Sequence, residues 1–192
     1  MTHQGPSIVF SRAEIPRENE WLTKVFQEEL VRVVGAIPGF KWTSLWRDAD
    51  AKPHYAMLSV YETYEAGQAA WDRLMQSEAL YDAFKYLGSP ANIQRYYSCW
   101  EIGSTAEALD IGEFMSVQSA PASVGGHGIL EDWREGARSL GALPGMVGAS
   151  ALMKAENQDE LILMMFWHDR ISYLGSVTDT SEKATKLYER IG

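Results

Sequence analysis

Apolar residues change their spacing several times along this chain, and each change predicts an element. Residues 7–15, SIVFSRAEI, read as a strand. From Pro16 to Gly35 the period lengthens: Trp21, Val25, Phe26, Leu30, Val33 and Val34 recur at helical intervals. Pro16 suits a helix start, Gly35 suits its end, and Pro38 forbids continuation. FKWTSLW (40–46) and HYAMLSVY (54–61) read as strands joined by a turn, DADAKP (48–53). TYEAGQAAWDRLMQS (63–77) opens on a threonine with a nearby glutamate and then turns helical. A further helical piece covers 78–88, and NIQRYYSCWEI (92–102) reads as a strand. The predicted order is β-α-β-β-α-β.

A second unit starts near Gly112. EFMSVQSA reads as a strand, PASVGGHG (121–128) as a loop and ILEDWREGARSLG as a helix. MVGASALMK and ELILMMFW read as strands around AENQD, and SEKATKLYERI (181–191) as a closing helix. This unit is therefore expected to lack the last strand. The predicted division is a first unit at 1–103, a linker at 104–111 and a second unit at 112–192.

The two units repeat one phrase. VGAIPGFKW (34–42) returns 106 positions later as LGALPGMVG (140–148), placing Pro38 on Pro144, Gly39 on Gly145 and Tyr61 on Trp167. Similarity at a fixed offset, with matching element order, indicates duplication. Each glycine stands where a chain leaving a helix must reverse sharply, in dihedrals closed to other residues.

The runs at 54–61 and 161–167 are apolar with little alternation, so both faces of those strands must be covered. Helices cover one face, and a second sheet is expected on the other. The predicted class is α+β: two ferredoxin-like units packed sheet to sheet. An absent last strand would leave an edge that a second chain protects, which points to a homodimer.

Composition narrows the functions. The chain has 192 residues and a formal charge of −9. Nucleic acid and acidic membrane surfaces demand a basic face, so neither is expected as a partner. A single cysteine, Cys99, precludes an internal disulfide and a thiolate metal cluster. The start MTHQGPSIVF lacks a secretory pattern, and no segment reaches 18 apolar residues, so a cytoplasmic location is expected. Seven Trp and nine Tyr suit a pocket or interface lined by rings.

The helix–IPGF–strand junction, followed by YAMLSVYETYEAGQAAWDRLMQSEAL, resembles the antibiotic biosynthesis monooxygenase family of the dimeric α+β barrel superfamily. The second half, with LPGM and LMMFWHD, resembles it more loosely. The resemblance implies a tandem pair. It also implies one of several activities: cofactor-independent oxidation of polyketide anthrones, haem binding and degradation, or no known reaction. In the haem branch an iron-ligating histidine stands seven positions after the serine of the second helix. Ser77 plus seven is Phe84, and Trp71 matches the supporting tryptophan only loosely. In oxygenase members a tryptophan at the end of the third strand lines the pocket. Trp167 keeps that residue and Tyr61 departs from it.

The remaining candidates come from residue type and placement. Neither a G-x-G-x-x-G nor a Walker sequence is present, so no nucleotide cofactor is expected. Scattered histidines without H-x-H or H-E-x-x-H spacing suggest no metal site. An oxygenase without a cofactor takes its electrons from the substrate and needs flat apolar walls with few polar groups. His168 is the best single base in the sequence, and with Tyr61 and Trp167 it forms the expected catalytic set. Arg12 or Arg95 would hold an anion, while Trp46, Trp71, Tyr96 and Trp100 would bind substrate. The leading expectation is a cofactor-independent monooxygenase acting on a phenolic or polycyclic aromatic molecule with molecular oxygen. Its rivals are a non-catalytic small-molecule-binding or assembly domain, a cofactor-free isomerase or cyclase, and a haem protein.

Overall fold

The computed structural model describes residues 6–50, 53–103, 105–122, 126–142, 144–176 and 185–191. The chain divides into two compact units, one of residues 1–97 with 191–192, the other of residues 98–190.

The first unit contains β1 (Ser7–Glu14), α1 (Leu22–Val34), β2 (Phe40–Asp48), β3 (His54–Tyr61), α2 (Tyr64–Leu74), α3 (Glu78–Phe84) and most of β4 (Asn92–Ile102). Its sheet is antiparallel throughout: β3 pairs with β1 and β2, and β1 also pairs with β4. The spatial order is β4-β1-β3-β2. The stretch after Pro16 is a 3-10 turn, Arg17–Asn19, before α1 begins. The side chain of Thr63 caps α2 by accepting from the Ala66 amide at 3.2 Å, and Ser77 does the same for α3 through Leu80.

The second unit contains α4 (Thr105–Ile111), β5 (Phe114–Pro121), α5 (Gly126–Leu140), β6 (Met146–Lys154), β7 (Glu160–Trp167), α6 (Arg170–Ser176) and β8 (Thr185–Ile191). β7 pairs with β5 and β6, and β5 pairs with β8. The order β8-β5-β7-β6 reproduces that of the first sheet.

Three expectations change. The closing helix expected at 181–191 is a strand over Thr185–Ile191, antiparallel to β5 from Thr185↔Gln118 to Glu189↔Phe114. Ala184, Leu187, Tyr188 and Ile191 fall at helical spacing, but a short apolar run satisfies either period, and pairing with the open side of β5 decides it. The second unit therefore has the fourth strand that the sequence seemed to omit, and the helix of its second crossover is α6. The linker expected at 104–111 is mostly helix α4. The loop expected at 121–128 gives way to α5 from Gly126, with 123–125 outside the described residues.

The offset of 106 holds at the level of single bonds. β2 and β6, and likewise β3 and β7, begin and end 106 positions apart. The β2–β3 register slips between Phe40 and Trp42, and the β6–β7 register slips between Met146 and Gly148. Gly39 has φ +85° and Gly145 has φ +91°. The Glu62 amide donates to the Gly39 carbonyl at 2.7 Å, and the His168 amide donates to the Gly145 carbonyl at 2.8 Å. The cap repeats as well, since Asp169 accepts from the Ser172 amide at 2.7 Å, as Thr63 does from Ala66.

β3 and β7 are buried on both faces, as their continuous apolar runs require. Ala56, Leu58 and Val60 are as buried as Tyr55, Ser59 and Tyr61 on the opposite face. In β7, Leu161 through Met164, Phe166 and Trp167 are all buried.

Candidate functional site

The first unit holds a cavity between its sheet and helices α1, α2 and α3. Strand alternation builds the floor. Val9, Ser11 and Ala13 of β1 lie across from Ser59, Met57 and Tyr55 of β3, so all six share the helix-facing side. Phe26 and Leu30 of α1, Trp71 and Leu74 of α2, and Leu80 and Phe84 of α3 form the roof. The cavity volume is about 50 Å³, several times the roughly 10–15 Å³ that one water needs.

No charged side chain lines this cavity. Its polar side chains are the hydroxyls of Ser11, Tyr55, Ser59 and Tyr61 and the indole of Trp71. Thr43 donates to the Leu58 carbonyl at 2.9 Å, and its oxygen lies 2.8 Å from the Ser59 hydroxyl. Thr43 has one proton and has used it, so Ser59 is the donor to Thr43. The Tyr61 phenol lies beside Ser59. Burial pushes the Tyr61 phenol up to about 12, so at neutral pH it is an uncharged hydrogen-bonding group and no base. The ring of Tyr61 is held edge-on by Phe40, with centroids 5.9 Å apart.

Of the residues anticipated from sequence, Tyr61 and Trp71 line this cavity. Arg95 is on the same face of the sheet, opposite Val9, but its guanidinium rests over the Tyr64 ring, 5.2 Å from the centroid, and is not part of the lining. Arg12, Trp46 and Tyr96 project to the other face. Arg12 donates to Gln94 at 3.4 Å and lies over Phe10. Trp46 donates to the Ser44 hydroxyl. Tyr96 donates to the side-chain amide oxygen Oε1 of Gln94 at 2.5 Å.

Trp167, His168 and Trp100 belong to the second unit. Trp167 is fully buried, donates to Ser116 at 3.2 Å and meets Tyr173 edge-on at 6.0 Å. Tyr173 stands 106 positions after Gly67, where a Cβ would come within 3.0 Å of Ser7 Oγ. The two units thus differ beside the strand end: a ring in one, a bare backbone in the other. His168 is exposed, just before α6. The imidazole is thus outside any buried pocket, and Asp169 beside it is occupied with Ser172. Trp100 donates to the Leu130 carbonyl of α5 at 3.1 Å.

Phe26, Tyr55, Met57, Ser59 and Phe84 are lining residues that the sequence did not single out. Ser59 carried a signal: it is the one serine or threonine inside the apolar run 55–60. Haem does not fit here. The lining holds no histidine, and the position where the haem branch places one is the Phe84 ring in the cavity roof.

The sequence matches no protein-family model and no curated protein. Solved structures share the fold. An anthrone oxidase-like protein aligns over 100% of this chain and 94% of its own, with TM-score 0.69 and 11% identity. A Fusobacterium nucleatum protein provisionally named a monooxygenase aligns over 98% and 92%, with TM-score 0.68 and 13% identity. A Listeria monocytogenes ferredoxin-fold protein related to antibiotic biosynthesis monooxygenases aligns over 99% and 97%, with TM-score 0.58 and 11% identity. The chain thus has the fold of ferredoxin-like proteins of the antibiotic biosynthesis monooxygenase type. At these identities the likeness is one of fold.

Proposed function

We propose that the first unit binds a small phenolic molecule in the cavity above its sheet and oxidises it with molecular oxygen, without a cofactor. The observation that carries this reading is the cavity itself: apolar walls with aromatic members, closed by neutral hydroxyls at Ser59 and Tyr61. A flat, electron-rich ring fits such walls, and its hydroxyl meets the Tyr61–Ser59 pair. An apolar cavity of about 150 Å³ holds benzene, so at about 50 Å³ the walls must open to admit even one ring, and a single-ring phenol is preferred over a polycyclic one. The folds of an anthrone oxidase-like protein and of monooxygenase-named proteins support the class of reaction.

The reaction balances without any further reductant. A phenol and one O₂ give a quinone and one water: one oxygen atom enters the ring ortho or para to the hydroxyl, the other leaves as water, and the ring supplies all four electrons. The Tyr61 hydroxyl is the group that meets the substrate's hydroxyl, and the apolar walls exclude bulk water.

A second reading is favoured by one observation. The lining contains no carboxylate, imidazole or amine that could take the phenol's proton. On that reading the unit binds the ring and does no chemistry.

Oxygen uptake separates the two. Purified protein is mixed with a single-ring phenol in air, alongside Ser11→Leu, whose larger side chain fills the cavity from β1. Uptake above the uncatalysed rate that Ser11→Leu abolishes supports the oxidase. Binding without uptake leaves the binding domain, and no binding removes both.

A further inference from the structure

The cavity of the first unit is long for its volume. Its floor reaches from Val9 to Ile15 along and just past β1, and from Tyr61 back to Tyr55 along β3. Each path is roughly six residue steps, about 20 Å of strand. A volume of about 50 Å³ spread along such a floor makes a narrow channel and not a round chamber.

The two ends of the channel differ in chemistry. Ser59, Tyr61 and Trp71 give one end its polar atoms. Past Ser11 the lining is apolar, formed by Ala13, Ile15, Leu80, Leu87 and Ala91 around the Tyr55 ring. The Tyr55 hydroxyl lies beside Glu20, which lines an adjoining depression and not the channel. The Gly88 amide donates to the Glu14 carbonyl at 2.9 Å, which draws the segment carrying Leu87 and Ala91 across the apolar end. The core beneath the helices divides in the same way. One buried cluster gathers around Tyr61, Leu30 and Ala70, another around Ile15, Phe26 and Leu80, and Met57 and Leu74 pack against both. The channel joins the two clusters at Met57, an unbranched side chain that adapts its shape to a neighbour.

We infer that the ligand of the first unit is a phenol with an unbranched alkyl tail para to its hydroxyl. This rests on the proposed function and names its substrate class. The hydroxyl lies at the Ser59–Tyr61 end, the ring beside Trp71, and the tail runs over Met57 and past Ala13 toward Ile15 and Leu87. The walls part only for the ring, and the tail follows the channel. With the para position taken, the entering oxygen atom bonds to the ring ortho to the hydroxyl. The ring gives four electrons to O₂, the second oxygen atom leaves as water, and the product is an ortho-quinone.

The test compares 4-methylphenol, 4-butylphenol and 4-tert-butylphenol by isothermal titration calorimetry. The last two have the same formula, so general apolar affinity does not separate them. Each methylene of the linear series should tighten binding about fourfold, so 4-butylphenol should bind about fiftyfold more tightly than 4-methylphenol. The tert-butyl group is too wide for the channel, and its phenol should bind at least about tenfold more weakly than the linear isomer. Ala13→Leu fills the apolar half from the floor and should bring the ratio of 4-butylphenol to 4-methylphenol affinity close to one. Circular dichroism confirms that the variant is folded, and the comparison of the two butyl isomers on the unaltered protein stands without it. If 4-methylphenol binds but the linear tail adds nothing, if the branched isomer binds as well as the linear one, or if folded Ala13→Leu keeps the full gain, this inference fails and the proposed function stands. If none of the three binds, both fail.

Discussion

Substituting alanine at Gly39 and at Gly145 tests whether the two helix-to-strand reversals are the same device. Both residues have positive φ, +85° and +91°. An L side chain in that region costs about 1–2 kcal/mol. The surroundings then separate the two sites. A Cβ at Gly39 would lie 3.1 Å from the Ala66 Cβ and 3.5 Å from the Glu62 Cβ, tight but short of overlap. A Cβ at Gly145 would lie 2.5 Å from the Ser172 Cβ and closer still to Ser172 Oγ. Ser172 cannot simply turn away, because its hydroxyl donates to the Asp169 carboxylate at 3.0 Å and its amide to the same group at 2.7 Å. Gly39→Ala should therefore cost about 1–2 kcal/mol, and Gly145→Ala about 2–4 kcal/mol once overpacking is added. Urea denaturation of each variant, followed by far-ultraviolet circular dichroism, measures both. A double-mutant cycle with Ser172→Gly should recover at least about 1 kcal/mol of the Gly145→Ala cost, since the two residues are in contact. Losses below about 0.5 kcal/mol at both glycines, or no coupling between positions 145 and 172, would refute the reasoning.

Three further outcomes follow from individual groups. Tyr61 titrates near 10 when unfolded and near 12 in the fold, so between those pH values the unfolded chain sheds a proton that the native state keeps. Stability should fall by up to about 2–3 kcal/mol across that window. Tyr61→Phe should remove that part of the fall in alkaline denaturation, and an unchanged profile would contradict it. Burial pushes the Cys99 thiol up to about 11, so at pH 8 iodoacetamide should label native protein about a hundredfold more slowly than urea-unfolded protein; equal rates would contradict the burial. Thr63→Ala removes the acceptor for the Ala66 amide at the start of α2 and should cost about 1 kcal/mol in the same urea assay, while a loss near zero would show that the cap is dispensable.

The parts of the fold that sequence revealed are those where burial and backbone geometry constrain residues tightly. The proline–glycine reversals, the apolar runs of β3 and β7 and the helix start at Thr63 all read correctly, because each needs a particular residue type at a particular place; the cap at Ser77 did not show in the sequence. β8 did not, because TKLYERI carries too few apolar residues to fix a period and its conformation is decided by pairing with β5. The site was harder to read. Tyr61 and Trp71 were chosen because they are large rings at suggestive positions. The face of β3 that carries Tyr55, Met57 and Ser59 could have been listed from alternation, but nothing in the run 54–61 says which face meets the helices. His168 attracted notice as the best available base. Its exposure before α6 reflects the hairpin reversal, which sets Trp167 inside and the next residue outside.

The most direct measurement is a crystal structure of the protein soaked with 4-bromophenol, using the anomalous signal of bromine to locate the ring. The account predicts a bromine peak inside the first unit, among Phe26, Met57, Trp71 and Phe84, with the phenol oxygen within hydrogen-bonding distance of Tyr61 or Ser59. A peak confined to the outer surface, or an empty cavity in crystals grown under conditions where solution binding is measured, would contradict it.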